Sequence, residues 1–280
     1  MDNYIITKMP ELPEVETTRR GIVKQIKEQV ITKVIIREKR LRWPIPDDLS
    51  SILPDQQIEA VNRRGKYLLL KCTSGYIIIH LGMSGHLRLL DSNTAVKKHD
   101  HVDIVLSNGL CLRYHDPRRF GCVLWTSDAI FNHPLLVKLG LEPLEVEFTG
   151  EYLYSNAQKR RMAVKNYIMN AHVVVGVGNI YANEALFLAG IHPACIASEI
   201  NLKRYQRLVK MIKQVLQAAI EKGGTTLRDF INTSGNPGYF QQSLLVYARA
   251  GEPCVKCGEK LLMEKIGQRA TYYCYHCQQL

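Results

Sequence analysis

The chain has 280 residues, 46% of them hydrophobic, which is room for about two domains with an ordinary globular core. Lys and Arg outnumber Asp and Glu 37 to 26. The resulting charge of +11 points to a polyanion, nucleic acid before an anionic membrane surface, although many basic proteins carry such a surplus with no such partner. No run approaches the roughly 20 apolar residues of a membrane span, so no membrane partner is expected. The opening MDNYIITKMPELPE lacks the basic-then-apolar layout of a secretory signal.

Residues 17–30 (TTRRGIVKQIKEQV) have helical spacing at Ile22, Ile26 and Val30, with Thr17 or Thr18 as a cap. From Val34 to about Thr126 the pattern becomes that of strands. YLLLKCTSGYIIIHL holds two β-rich runs around Thr-Ser-Gly, and VDIVLSNGLCLRY repeats this around Ser-Asn-Gly, a strong hairpin signal. Paired strands without intervening helices predict an antiparallel sandwich or barrel over 10–130. A connector follows at 131–150, broken by Pro134, Gly140 and Pro143. Beyond it a helical domain is expected over 151–243. Leu202, Tyr205, Leu208, Val209, Ile212, Val215, Leu216 and Ala219 share one apolar face, and Gly223 stands where a C-cap belongs. The basic residues among them read first as a solvated face.

Four cysteines are scattered singly, at 72, 111, 122 and 195, whereas Cys254, Cys257, Cys274 and Cys277 cluster in 244–280. With no export signal, the scattered ones read as small buried residues and the cluster as metal ligands in a reducing cytoplasm. Cys254-x2-Cys257, sixteen residues, then Cys274-x2-Cys277 has the spacing of a zinc site. Each C-x2-C turn aims two thiolates at one point, so one structural Zn2+ with no open position is expected. KLLMEKI and ATYYC pair around Gly267-Gln268, which puts Arg269 at a rigid tip suited to a phosphate or a DNA groove. So short a segment cannot bury a core of its own, and metal binding must supply folding energy.

The remaining motifs are taken in order. MPELPEVETTRR starts at Met9, RGKYLLL surrounds Lys66, HLGMSGHLR surrounds Met83, and KHDHVDI and RYHDPRRFG follow. VGVGNIYANEALF, TTLRDF…GNPGYFQQ and the cysteine finger complete the set. Together, from Pro10 almost to Leu280, they closely resemble bacterial formamidopyrimidine-DNA glycosylase. Endonuclease VIII shares the architecture but begins Pro-Glu-Gly-Pro-Glu and prefers oxidised pyrimidines; Leu12 and the 225–240 segment favour the purine-directed branch.

The resemblance implies an α+β protein: an antiparallel β-sandwich N-terminal domain, a helix–two-turn–helix domain and a C-terminal zinc finger, with double-stranded DNA lying in a cleft. It implies a monomeric, nucleoid-associated glycosylase that removes 8-oxoguanine and formamidopyrimidines and cleaves the abasic strand by β,δ-elimination. Pro10 maps to the family's nucleophile, Glu11 to its general acid and Lys66 to its proton donor in β-elimination. Arg269 maps to the δ-elimination arginine, although a guanidinium is a poor proton donor and a better phosphate clamp. Met83, Arg118 and Phe120 match the trio that fills the void left by a flipped nucleotide; on their own, Met83 and Phe120 read as core. His99, Arg118 and Arg161 match DNA contacts, Lys165 a lysine near the lesion. Asn179 is expected to cap the following helix, whose N–H groups would then face a phosphate.

One departure stands out. Eight residues, Met1–Lys8, precede Met9-Pro10. If they stay, the Pro10 nitrogen is a tertiary amide and cannot form a Schiff base. A start at Met9, followed by its removal, restores the amine, so 1–9 reads as a leader absent from the mature protein. Retention of the leader would instead favour a non-catalytic lesion-binding zinc protein.

Overall fold

The computed structural model describes residues 10–223, 227–231, 237–238 and 244–280. The leader at 1–9 and most of the 225–240 segment lie outside them. The described residues form two compact units, one up to Val137 plus the short strands after Gly223, the other Lys138–Lys222 with 244–280.

In the first unit, helix α1 spans Leu12–Ile26, five residues ahead of the expected threonine cap. The acidic pair explains the shift. Glu11 is the N-cap and closes a capping box with Glu14, whose Oε2 accepts from the Glu11 N–H at 2.9 Å, and Pro13 supplies a helical φ in the first turn. Thr18 lies inside the helix and bonds back to the Glu14 carbonyl. Eight strands follow: β1 Ile31–Ile36, then short helix α2 Leu49–Ile52, β2 Ile58–Arg64, β3 Tyr67–Cys72, β4 Gly75–His80, β5 His86–Asp91, β6 Asp100–Leu106, β7 Leu110–His115 and β8 Cys122–Thr126. They make two antiparallel four-stranded sheets, ordered β1-β6-β7-β5 and β2-β3-β4-β8. Alternate residues of both sheets, among them Leu68, Leu70, Ile77 and Ile79 from one and Leu87, Val102, Ile104 and Leu112 from the other, share a single core. Of the sandwich or barrel that the paired strands predict, the two separate sheets make a sandwich.

Ion pairs tie α1 to the β2 side of the sandwich. Arg19 and Arg20 bond Glu16, Arg63 of β2 reaches the same carboxylate at 3.3 Å, and Arg19 donates to the Val61 carbonyl. Burial raises the Glu16 pKa, but these guanidiniums outweigh it and hold the group down at about 2. A depressed carboxylate stabilises the fold fully above its ordinary value and loses that contribution as pH falls toward the folded value. Glu16→Gln is therefore expected to lower stability near neutrality and to flatten the acid limb of a pH–melting profile between about 4.5 and about 2. An unchanged acid limb would contradict this account.

The second unit is helical: α3 Gly150–Ala157, α4 Val164–Ile168, α5 Asn179–Ala189 and α6 Leu202–Glu221. Thr149 caps α3 and Asn201 caps α6 through their side-chain oxygens. The expected apolar face of α6 is buried at Tyr205, Leu208, Val209, Ile212, Leu216 and Ala219, and Gly223, at φ +79, follows its end. Strands β9 Leu227–Ile231 and β10 Pro237–Gly238 pair antiparallel in the first unit. Strands β11 Leu262–Ile266 and β12 Arg269–Tyr273 form the last hairpin. Its two loop residues, Gly267 and Gln268, both have positive φ (+56 and +65), as a two-residue hairpin turn requires. Among the described residues no helix is long and apolar enough to cross a membrane.

Candidate functional site

The head of α1 carries Pro10 and Glu11, both buried. Along α1, Arg19 meets Val61 and Glu16 meets Arg63, so stepping toward the helix N-terminus means stepping toward the C-terminal end of β2. Lys66 lies there, in the tight β2–β3 turn with Gly65 at φ +56. Proline nitrogen, acidic neighbour and lysine thus belong to one end of the sandwich. Behind the lysine, His80 is paired with Tyr67 across β3–β4, their rings 4.7 Å apart. Burial, helped by the Lys66 and Arg42 charges, lowers His80 to about 4, so it is a neutral imidazole at physiological pH. Its Nδ1 accepts the Gly82 N–H at 3.0 Å.

Two more loops emerge at this same end, where Tyr67, His80 and Cys122 are neighbours across the sheet. Met83 is half-buried between β4 and β5. Between β7 and β8, Arg118 is exposed and its guanidinium stacks 4.9 Å from the Phe120 ring centre. Phe120 is 41% exposed, which removes the core reading that its residue type alone favours. His99, at φ +71, stands beside His101 and His115 with ring centres 6.2 and 6.0 Å away. Partial burial and the neighbouring Lys98 charge lower its pKa. Beneath this loop, Arg113 is 1% exposed and bonds Asp103, while Arg88 and His115 bond Asp100.

In the second unit, Arg161 is exposed between α3 and α4. Lys165 is fully buried: its Nζ donates to the Ala270 carbonyl at 3.0 Å and the Thr271 hydroxyl at 2.7 Å. Asn179 is not the cap of α5. Gly178 occupies that position, and the Asn179 amide donates instead to the Ala270 carbonyl at 3.0 Å. Asn183, one turn later, accepts the Tyr272 N–H at 2.8 Å. Three side chains of α4 and α5 thus satisfy the free edge of β12 and fix the strand that begins with Arg269. Sequence reasoning passed over Asn183 and Glu184. The latter's carboxylate, buried and with its pKa raised by that burial, accepts the N–H groups of Leu245, Val246 and Tyr247, anchoring the entry to the finger.

At the far end of the hairpin, the sulfurs of Cys254, Cys257, Cys274 and Cys277 lie within 4.8 Å of one another. A tetrahedral zinc with Zn–S of about 2.3 Å has sulfur–sulfur edges of roughly 3.8 Å. Cys254–Cys277 at 3.9 Å and Cys257–Cys274 at 3.5 Å fit that size. Burial raises the Cys254 thiol, but N–H groups of Lys256 and Cys257 outweigh it and hold the thiol down to about 7. The donor set is complete with four thiolates, so the zinc it binds is structural.

A family model described as Formamidopyrimidine-DNA glycosylase N-terminal domain matches residues 9–123, one described as Formamidopyrimidine-DNA glycosylase H2TH domain matches 139–231, and one described as Zinc finger found in FPG and IleRS matches 251–280. A Formamidopyrimidine-DNA glycosylase from Nitrosococcus oceani is 59% identical over 270 residues, which is 96% of this chain and 100% of the relative. The chain belongs to the formamidopyrimidine-DNA glycosylase family. Among solved members of that family, wild-type Lactococcus lactis Fpg bound to DNA containing N7-benzyl-Fapy-dG superposes with a TM-score of 0.88 at 33% identity, covering 97% of this chain and 100% of that one. The same Lactococcus lactis glycosylase bound to an oxidised-pyrimidine-containing DNA gives the same TM-score, identity and coverage. The glycosylase architecture of two antiparallel sheets, a helical domain and a four-cysteine finger is therefore present throughout.

Proposed function

We propose that this chain excises oxidised purines from duplex DNA and cleaves the resulting abasic strand, with Pro10 as nucleophile. Glycosylase action on oxidised bases, with abasic-site lyase activity, is the property of its family; the purine preference and the roles of individual residues are our reading. The observation that carries it is the sequence Pro10-Glu11 at the head of α1, on the same end of the sandwich as Lys66. The N-terminal family match opening at Met9 supports a mature chain that begins at Pro10.

A free proline amine titrates near 8 rather than near the 10.4 of lysine, so a useful fraction is unprotonated at neutral pH. It attacks C1′ of the damaged nucleotide, the base leaves with its bonding electrons and takes up a proton, and the sugar opens as an iminium. Glu11, buried beside it, supplies the proton as the ring opens. The iminium draws electrons from C2′; loss of the C2′ proton expels the 3′ phosphate, and a second elimination expels the 5′ phosphate. Lys66 supports the first elimination as proton donor, and Arg269 clamps a phosphate. His99, Arg118 and Arg161 contact DNA, and Met83, Arg118 and Phe120 fill the space vacated by the flipped nucleotide. Lys165 and Asn179 serve DNA binding through the strand they hold, which presents Arg269.

The test is strand scission on matched duplexes carrying 8-oxoguanine, a formamidopyrimidine or an oxidised pyrimidine. We expect the two purine lesions to be cut with a kcat/KM at least ~10-fold above the pyrimidine, the range that a few well-made polar contacts give. Equal or inverted rates would assign the chain to the oxidised-pyrimidine branch. No cutting of any lesion by protein beginning at Pro10 would leave only a lesion-binding zinc protein.

A further inference from the structure

The two loops that carry Met83 and Arg118–Phe120 come from different strand pairs, yet one buried carboxylate joins them. Asp116 has 0% exposure. One of its oxygens accepts from the Ser84 hydroxyl at 2.8 Å; the other accepts from the Gly121 N–H at 2.9 Å and the Tyr114 hydroxyl at 3.2 Å. Ser84 in turn accepts the Arg118 N–H at 3.2 Å. The Asp116 carbonyl takes the Arg119 N–H at 3.1 Å and the His101 ring nitrogen at 2.8 Å, and its own N–H bonds the His99 carbonyl. At Gly82, where φ is +63, an added Cβ would lie 2.5 Å from the Gly121 nitrogen, so the loops also pack backbone against backbone.

We propose that Asp116 is a positioning residue for lesion recognition, which locks Met83 to Arg118 and Phe120 as a single wedge through Ser84 and Gly121. The inference rests on the wedge role given to those three side chains above. A group that replaces an extruded nucleotide works only if its parts enter the stack together, within about half an ångström of the productive geometry. Exposed loop side chains have no such precision of their own. A buried carboxylate supplies it because charge-assisted bonds are shorter and stronger than neutral ones and because each oxygen is committed to a different loop. An Asn at 116 has the same shape but a single accepting oxygen. Either the Ser84 hydroxyl, or the Gly121 N–H together with the Tyr114 hydroxyl, must then lose its acceptor.

The test measures affinity of the full zinc-loaded chain for an undamaged duplex and for the same duplex carrying a tetrahydrofuran abasic analogue. Neither measurement requires the Pro10 amine. For Asp116→Asn and, more mildly, Ser84→Ala, we expect preference for the tetrahydrofuran duplex to fall about tenfold, the loss typical of a hydrogen bond to a charged group. Binding to undamaged DNA should not change. In a Met83→Ala/Phe120→Ala background, Asp116→Asn should lower the preference by less than about twofold, since two changes acting through one element do not add. Equal weakening on both duplexes would make Asp116 a purely structural residue, and full additivity would sever it from the wedge; either result overturns the proposal. An undiminished preference in Ser84→Ala does the same, even where Asp116→Asn fails to fold. If Met83→Ala/Phe120→Ala itself keeps full preference, the wedge reading falls first and this inference with it.

Discussion

Protein beginning at Pro10 is expected to form a borohydride-stable covalent adduct with a duplex containing 8-oxoguanine, and protein retaining residues 1–9 to form none. The argument concerns one nitrogen. In the trimmed chain it is a secondary amine with a pKa near 8, roughly a quarter unprotonated at pH 7.5. In the longer chain it belongs to a peptide bond whose lone pair is delocalised. Such a nitrogen can neither add to C1′ nor form an iminium, so no electron sink exists for either elimination. The expected loss of strand scission is at least ~10³-fold, the scale on which removal of a covalent nucleophile is felt. Pro10→Gly with a blocked N-terminus should behave like the longer chain. Intact mass checks which species is present, and trapping by a species shown to retain Met1 would refute the assigned chemistry.

Removal of zinc, by chelation or by Cys257→Ser, is expected to release the finger while the β-sandwich still melts as before. The small core around the finger consists of Phe187, Val246, Cys254, Leu261 and Cys274, two of which are metal ligands. Structural zinc sites contribute on the order of 10 kcal/mol of folding free energy, far more than three other apolar side chains can replace. The edge of β12 is nevertheless held by Lys165, Asn179 and Asn183. These bonds hold a strand already formed, and an unpaired strand gains little from them, since each is worth about 1–3 kcal/mol net. Arg269 then loses its fixed direction, and duplex affinity should fall ~10- to 100-fold, the equivalent of one or two charge-assisted phosphate contacts. Hydrogen exchange across 262–273, read with duplex binding, checks it. Protected amides in the zinc-free protein would mean that α4 and α5 suffice.

What the sequence disclosed followed the range of the interaction. The hairpins, the α6 face and the cysteine spacing are local patterns, and the structure reproduces them at Tyr67–His80, Leu202–Glu221 and Cys254–Cys277. Threonine is the commoner capping signal, but in α1 a glutamate pair and Pro13 begin the helix earlier. Lys165 matches a lysine near the lesion and Asn179 reads in the sequence as a helix cap; their partners here are the carbonyl of Ala270 and the hydroxyl of Thr271, about a hundred residues away, a separation that no periodicity reveals. Asp116 was hidden in plain view within RYHDPRRFG, where the neighbouring arginines and Phe120 have the side chains that reach solvent.

The two-residue loop of the last hairpin also limits how this protein can vary in length. Along β12 Thr271 and Tyr273 are buried on one face, Ala270 and Tyr272 are half-buried on the other, and Arg269 stands exposed at the loop end. One extra residue between Ile266 and Arg269, taken into β12 instead of a longer loop, would rotate every following position to the opposite side of the ribbon. Thr271 would leave the Lys165 ammonium, and Cys274 would face away from its three companions. Changes of length at that point therefore keep the finger intact only where the loop itself absorbs them and the β12 register is preserved.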